Sequence, residues 1–583
     1  MKQENRKQVI AICLLGISAF LLLLLPQIRQ MIIRLTEQFL LGRELRDHRK
    51  WHNVLLYVST IGSILQGMFL VLFLTGFSKI AKLMKHLIKQ LSGVFGRLIL
   101  FITNEIQKVP YKEFVVPVLF MFGLYIIGIS GIIRADLLYV DDKGRALEGY
   151  RRWDINSRYI SNFLAIFLHA DTRLTDISPL PQIIAALFMA AASVLLVYVI
   201  SGSKITKIAC FLSLPVGLSP YFLHCFSYKF DAPYMALSVL ASIAPFLFMR
   251  NYVMFSVCSI ISLLIMAMTY QASSGIYIII VIILCFKTWN ERRKTGKEIV
   301  RFAAVSAFSY CFSMIFFNLF LMNRRVTANL TTDIYPIHKL FTVAVNNFMG
   351  YMNNVIGDFS YVWRVSIIIL CLVFISASVL FTKRNKIAAL CVSLFVLAAM
   401  CSLSFGIYLV LTIPFFAPRA MYGFGIFIAC ITVYLSNIPR RVLLLPGIIL
   451  CWSFFVFSFT YGNALSEQKR YDNFRTETLI HDLSMLFPNK TEEPLLIKLV
   501  DTAGFAPVIN QNISIRYPVI HRLVRVSLIG NSLWGYYYLT RYFNFTLQRD
   551  ESIEETELHS IFDSYYHTIK SDASRKKVLV ILK

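Results

Sequence analysis

The stretch FVVPVLFMFGLYIIGISGIIRADLLYVDDKGRALEGYRRWDINSR, residues 114–158, decides what kind of molecule this is. Its first part, Phe114 to Ile133, is an unbroken apolar run long enough to cross a bilayer as a helix. Asp141 and Asp142 follow shortly after, and then Arg145, Arg151, Arg152 and Arg158. Asp-Asp-Lys-Gly by itself is ordinary turn composition. Beside a span it gains interest, because carboxylates there can deprotonate a hydroxyl or hold a metal, and guanidinium groups can grip a lipid phosphate.

The rest of the chain repeats the apolar theme. Of 583 residues, 57% are hydrophobic and 15% charged, and the apolar residues come in bilayer-length runs, so the chain is a polytopic helical membrane protein. A formal charge of +26 would suggest nucleic acid in a soluble chain. Here the basic residues fall in short connections between apolar runs, which excludes a nucleic-acid partner as the simplest account. The eleven cysteines lie in apolar runs or at a span edge and none is in the polar tail, so disulfides are not a framework. No zinc spacing occurs.

By apolar length we predict thirteen spans, at 9–33, 54–77, 114–133, 182–201, 206–223, 232–249, 252–270, 273–289, 301–322, 364–382, 387–413, 421–437 and 442–461. The first is read as a retained anchor, since it lacks a small-residue cleavage site. With the N-terminus inside, the basic connections 204–207, Arg250, 287–297, 383–386 and 439–441 all face the cytoplasm. The exception is 34–53, which carries Arg34, Arg43, Arg46, Arg49 and Lys50 on the opposite side. Residues 78–108 read either as an amphipathic helix on the inner leaflet, with Lys82, Lys85 and Lys89 on one face, or as a basic linker.

Three domains are expected: an N-terminal extension (1–110) with two spans, a transmembrane catalytic core (111–461) with outer loops 134–181 and 323–363, and a small α/β domain (462–583) on the outer face. The loop 323–363 has the amphipathic content of a surface helix. In the tail, 493–503 and 576–583 are predicted strands, and 463–486 and 551–570 predicted helices.

Three outer features carry chemistry. Arginine is normally scarce on that side, yet Arg145, Arg151, Arg152 and Arg158 cluster there with Tyr150 and Trp153, flat surfaces of the kind sugars stack on. FSYKFDAPY (226–234) places Lys229 and Asp231 before a span, where a salt bridge or helix cap is the plain alternative. In PFFAPRAMYG (414–423), Arg419 stands alone in an apolar loop; it needs an anion, either a phosphate or a carboxylate such as Asp141. Together these fit a site for a phosphate-bearing lipid with a sugar head. Outside the cytoplasm no nucleotide-sugar pool exists, so a glycosyl donor would arrive on a lipid. A polyprenyl phosphate leaves readily once its charge is met, and one carboxylate, Asp141 or Asp142, suffices as base. No cofactor is implied; a divalent metal on the carboxylates stays possible without being indicated.

The run DDKGRALEGYRRW…R, then TDISPLPQIIAALF, LSPYFLHCFSYKFDAPYMALS and TYQASSGIYI, resembles the serotype-converting O-antigen glucosyltransferases, the Gtr type II group, most closely over residues 114–290. Such proteins are similar to the GT-C class of integral-membrane glycosyltransferases. The resemblance implies a bacterial inner-membrane enzyme that moves glucose from undecaprenyl phosphate to an O-antigen (lipopolysaccharide) sugar on the periplasmic face. It maps an essential acidic residue onto Asp141 or Asp142, and implies a lipid-sugar flippase and a polyprenyl-phosphate glucosyltransferase as functional partners. Residues 1–110 are an extension beyond the family pattern. Two other readings remain: transfer of another polyprenyl-phosphate sugar, which the residues fit as well, and a lipid-linked sugar transporter. The transporter needs charges within the spans, and the spans are nearly free of them.

Overall fold

The computed structural model describes residues 111–583 except 203, 324–336, 489–493 and 542–546. The predicted spans 9–33 and 54–77, the basic loop 34–53 and the segment 78–108 lie outside the described residues.

Among the described residues, seven helices are long and apolar enough to cross a membrane: Lys112–Ala135, Leu180–Ser201, Gln271–Asn290, Gly296–Leu321, Tyr361–Leu380, Lys386–Leu403 and Arg441–Leu486. Against the eleven spans predicted after residue 111, seven helices meet this test, or eight if a bent pair is one span. The apolar run 206–223 becomes a pair of helices, Lys207–Leu218 and Pro220–Phe226, bent by 65°. Ser219 takes an extended conformation before Pro220, as a residue preceding proline prefers. The runs 232–249, 252–270 and 421–437 hold shorter apolar helices, Ala232–Phe248, Tyr252–Ala267 and Gly423–Ser436. The run 387–413 is α-helical only to Leu403, beyond which Gly406, with φ of 55°, opens a short 3-10 turn to Val410. Apolar length does not separate a span from a segment packed inside the protein: 209–223, 232–243 and 423–435 are enclosed by neighbouring helices, whereas Tyr252–Ala267 leaves Val253, Val257 and Ile261 exposed.

Several helices start where the sequence supplies a cap. Asn251 accepts hydrogen bonds from the amides of Val253 and Met254, and Asn385 does the same for Ile387 and Ala388. Thr295 and Glu298 form a reciprocal capping box on Gly296–Phe316. All these caps sit beside the basic connections predicted for one side of the membrane. In the loop 323–363, the helix Leu340–Asp358 forms.

The predicted boundary at residue 461 falls inside one continuous helix, Leu445–Leu486. This helix crosses the first long helix at two glycines. A Cβ added to Gly462 would lie 2.4 Å from the Gly131 carbonyl carbon, so only hydrogen fits there. The contact lies about one turn before the first helix ends at Ala135 and the loop bearing Asp141 begins.

Past this helix the chain builds a mixed five-stranded sheet of order β2-β1-β5-β4-β3, with β1 Leu495–Val500, β2 Leu547–Arg549, β3 His559–Asp563, β4 His567–Ser571 and β5 Lys577–Leu582. β1 runs parallel to β2 and β5, while β3, β4 and β5 are antiparallel. The helix end covers one face, with Leu479 and Leu483 against Ile497, Leu499, Val578 and Val580. The strands at 493–503 and 576–583 and the helix at 463–486 form as predicted. The predicted helix over 551–570 does not: it holds β3 and β4, where His567, Ile569 and Ser571 are buried in strand alternation. Its glutamate-rich opening suggested a helix that the period-2 burial overrides.

Between β1 and β2 the chain returns to the helix bundle. Ala506, Ile509, Tyr517, Val519, Ile520, Leu523 and Val524 belong to the same hydrophobic core as the long helices. Residues 462–583 therefore include a stretch built into the core as well as a sheet outside it.

Candidate functional site

The loop after the first long helix is conformationally unusual. Asp136, Val140, Arg152 and Ser157 all have positive φ, and Val140, at 39°, is β-branched. Such a residue is held there only when its surroundings demand it. Here they do: the Asp142 amide donates to the Tyr139 carbonyl at 2.8 Å, and the Tyr139 amide donates to Asp142 Oδ2 at 3.2 Å. The short helix Asp141–Glu148 starts from this turn.

The two aspartates have different lives. Asp142 is wholly buried, and beyond Tyr139 it accepts from the backbone amides of Lys229 (2.9 Å, Oδ2) and Phe230 (3.3 Å, Oδ1). It clamps its own turn to the segment 228–231. Burial and the nearby charge of Asp231 push its carboxyl up to about 8, against the amides that favour the ionised form. Asp141 keeps a third of its side chain exposed and points Oδ2 toward Arg419 Nη1 at 3.9 Å, the Arg419 side chain being 24% exposed.

Arg419 is held in an aromatic setting. It hydrogen-bonds the Tyr228 hydroxyl and lies over the Tyr228 and Phe415 rings at 4.8 and 5.6 Å. Tyr139, His224 and Tyr228 form a mutually edge-on cluster with centroids 4.8 to 5.5 Å apart. The Tyr139 hydroxyl donates to the Leu523 carbonyl, so it accepts from His224 Nε2 at 2.8 Å. Arg158 lies over Tyr270 at 4.5 Å, and Tyr270 stacks on Tyr422. Opposite, Asp358 accepts from Tyr221 at 2.8 Å and from Arg522, which also donates to the Phe416 carbonyl. That latch ties the returning stretch of the tail to the Arg419 loop.

The other predicted residues are placed as follows. Arg145, Trp153 and Asp231 satisfy one another in the interior: Asp231 accepts from Arg145 and, at 2.5 Å, from Trp153 Nε1, and the Arg145 guanidinium lies 4.4 Å from the indole centroid. Buried Lys229 pairs with Asp136 and, at 2.9 Å, with Asp176. Partial burial raises the Asp136 carboxyl, but Lys229 and Lys469 outweigh it and hold it below the usual range. Arg151 donates to the Asn162 carbonyl at 3.2 Å, and exposed Arg152 covers the Tyr150 ring at 4.9 Å. The geometry brings together Asp141, Arg419 and the neighbouring tyrosines, and ties Arg145, Trp153, Asp231 and Lys229 into the scaffold beneath them. Among the described residues, no three His, Cys, Asp or Glu side chains converge as a metal site.

Sequence reasoning missed Tyr139, His224, Tyr228, Tyr270, Asp358, Arg522 and Arg525. The polar-tipped aromatics of SPYFLHCFSYKF and TYQASSG carried a signal, since each buries a group that needs a partner. HRLVR (521–525) carried none, because the tail read as a separate domain.

Comparison with known proteins bears on this site. The family described as Glucosyl transferase GtrII matches residues 130–430, a range that holds Asp141, Tyr228 and Arg419. A protein of Salmonella phage P22, described as an uncharacterized 55.3 kDa protein in the gtrB 5' region, is 23% identical over 436 residues, covering 71% of this chain and 87% of that protein. No solved structure matches.

Proposed function

The chain belongs to the glucosyl transferase GtrII family, and on that footing we propose that it transfers glucose from undecaprenyl phosphate-glucose to an O-antigen sugar at the periplasmic face of a bacterial inner membrane. The core is read as GT-C-like, and a flippase and a polyprenyl-phosphate glucosyltransferase would supply the donor. Asp141 takes the proton from the acceptor hydroxyl as that oxygen bonds to C1 of glucose. The bond from C1 to the phosphate oxygen breaks, its electron pair stays on the phosphate, and Arg419 meets the new charge. A single displacement inverts the anomeric centre.

One observation carries this reading. Of the two aspartates, only Asp141 is partly exposed, and it faces an arginine brought from a distant loop. A carboxylate and a guanidinium stand side by side, which supports their roles as proton acceptor and phosphate partner. A sugar other than glucose would use the same pair; the family's description supports glucose.

The test is transfer of labelled glucose from undecaprenyl phosphate-glucose onto O-antigen by membranes that contain the protein, with linkage and anomer analysis of the product. Product of inverted configuration supports the reading. Retention of configuration overturns the single displacement, and absence of transfer overturns the donor.

A further inference from the structure

The tail does more than cap the bundle. The Tyr139 hydroxyl holds the Leu523 carbonyl, and Lys143 Nζ holds the Ser527 carbonyl at 3.4 Å, both across the same separation of 384 residues. Two short stretches, 139–143 and 523–527, therefore lie alongside each other, with Asp141 and Arg525 at their midpoints. Both ends are pinned again. Tyr461 donates to the Leu523 carbonyl at 3.3 Å, and the Ser527 amide donates to Asp472 at 2.9 Å.

Arg525 is exposed, and its guanidinium acts electrostatically on the Tyr139 hydroxyl. Arg419, Arg522 and Arg525 all act electrostatically on His224, so three guanidinium groups gather about one ring. Their counter-charges are uneven. Arg522 is paired with buried Asp358, and Arg419 shares Asp141 at 3.9 Å. Arg525 pairs with no carboxylate among the described residues. A guanidinium held at the Tyr139 and His224 cluster and left without an acid is short of an anion.

We propose that Arg525, supplied by the tail beyond the family-matched region, is a second ligand of the donor phosphate and meets the charge that appears as the sugar leaves. This rests on the transfer reading above and sharpens it. The donor is a phosphodiester with one negative charge. When the bond from C1 to oxygen breaks, the electron pair remains on the phosphate, which becomes a monoester bearing a second charge. Arg419 already spends part of its charge on Asp141, and Arg525 supplies the balance. Its effect is therefore larger on the monoester product than on the diester donor.

The experiment uses the full-length protein in lipid nanodiscs and binding of farnesyl phosphate, farnesyl methyl phosphate and farnesol. Arg525→Ala should weaken farnesyl phosphate about tenfold or more, the methyl diester by less, and farnesol not at all. Arg525→Lys should recover part of the loss. Raising the pH through the second phosphate pKa, about 6, should tighten farnesyl phosphate in the wild type and much less in Arg525→Ala. Unchanged farnesyl phosphate binding in Arg525→Ala overturns the proposal, and so does an equal loss for farnesol, which would mark a structural role. The two readings fail separately. An inactive Asp141→Asn beside an Arg525→Ala that binds as wild type refutes the second ligand alone; an active Asp141→Asn refutes the transfer mechanism whatever Arg525 does.

Discussion

Replacing Asp141 and Asp142 by asparagine, one at a time, should produce opposite outcomes. Asp142 receives backbone amides on both oxygens, Lys229 and Tyr139 on Oδ2 and Phe230 on Oδ1. Asparagine has one acceptor oxygen. If it serves Lys229 and Tyr139, its amino group meets the Phe230 N–H donor to donor, in either protonation state of the original acid. A buried donor left unpaired costs about 1–3 kcal/mol, and the strained Val140 turn loses part of its support as well. Asp142→Asn should therefore unfold at a lower temperature yet keep transfer activity while folded. Asp141 touches little besides Arg419, so Asp141→Asn should melt like the wild type. It should lose the contribution of a general base, roughly 10²–10⁴ in rate, with donor binding nearly intact. Unfolding can be followed with a thiol-reactive dye, because Cys210, Cys225, Cys430 and Cys451 are free and buried. Transfer is measured from undecaprenyl phosphate-glucose. An Asp142→Asn protein that melts normally but is inactive would refute the reasoning, as would an active Asp141→Asn.

Arg419→Ala should weaken donor binding by about ten- to a hundredfold, the worth of a charge-assisted hydrogen bond, with Arg419→Lys in between; equal donor affinity in all three would remove Arg419 from the site. Gly462→Val should destabilise by at least about 1–3 kcal/mol, because its Cβ would meet the Gly131 backbone at 2.4 Å, whereas Gly296→Ala, with nothing within 4 Å, should not; equal melting temperatures for the two would refute the close crossing. Asp142 also predicts a pH dependence. Its folded carboxyl is raised from 3.8 to about 8, so between those values the folded state holds a proton that the unfolded chain has lost. Its contribution to stability should fall as pH rises across that window and level off above it, and a pH series of melting curves should show this fall absent in Asp142→Asn.

How far the sequence reaches depends on whether a property is local. Membrane class, helix caps and the outermost strands of sequence are local, and they are legible in apolar run length, in Asn and Thr before helices, and in short β-branched runs. The path of a buried segment is not local. Residues 206–223 and 232–249 are as apolar as true spans, but a proline bend in the first and a short helix in the second leave them enclosed by protein. The site divides along the same line. The Asp-Asp turn stood out because arginines crowd it, and Arg419 was legible as a cation in want of an anion, with Asp141 already a candidate. What separates the two aspartates is which of them meets the amides of Lys229 and Phe230, contacts made far along the chain. Arg525 is a stronger case. Composition shifts near residue 462, and a shift in polarity predicts a domain boundary there. Yet the helix runs through that point without a break, and the tail turns back to lay 523–527 along 139–143. A polar tail can be part of a membrane-embedded site when its few apolar residues, here Tyr517, Val519, Ile520, Leu523 and Val524, are the ones that enter the core. Their spacing is too sparse to register as a span, and it is dense enough to carry Arg522 and Arg525 back into the bundle.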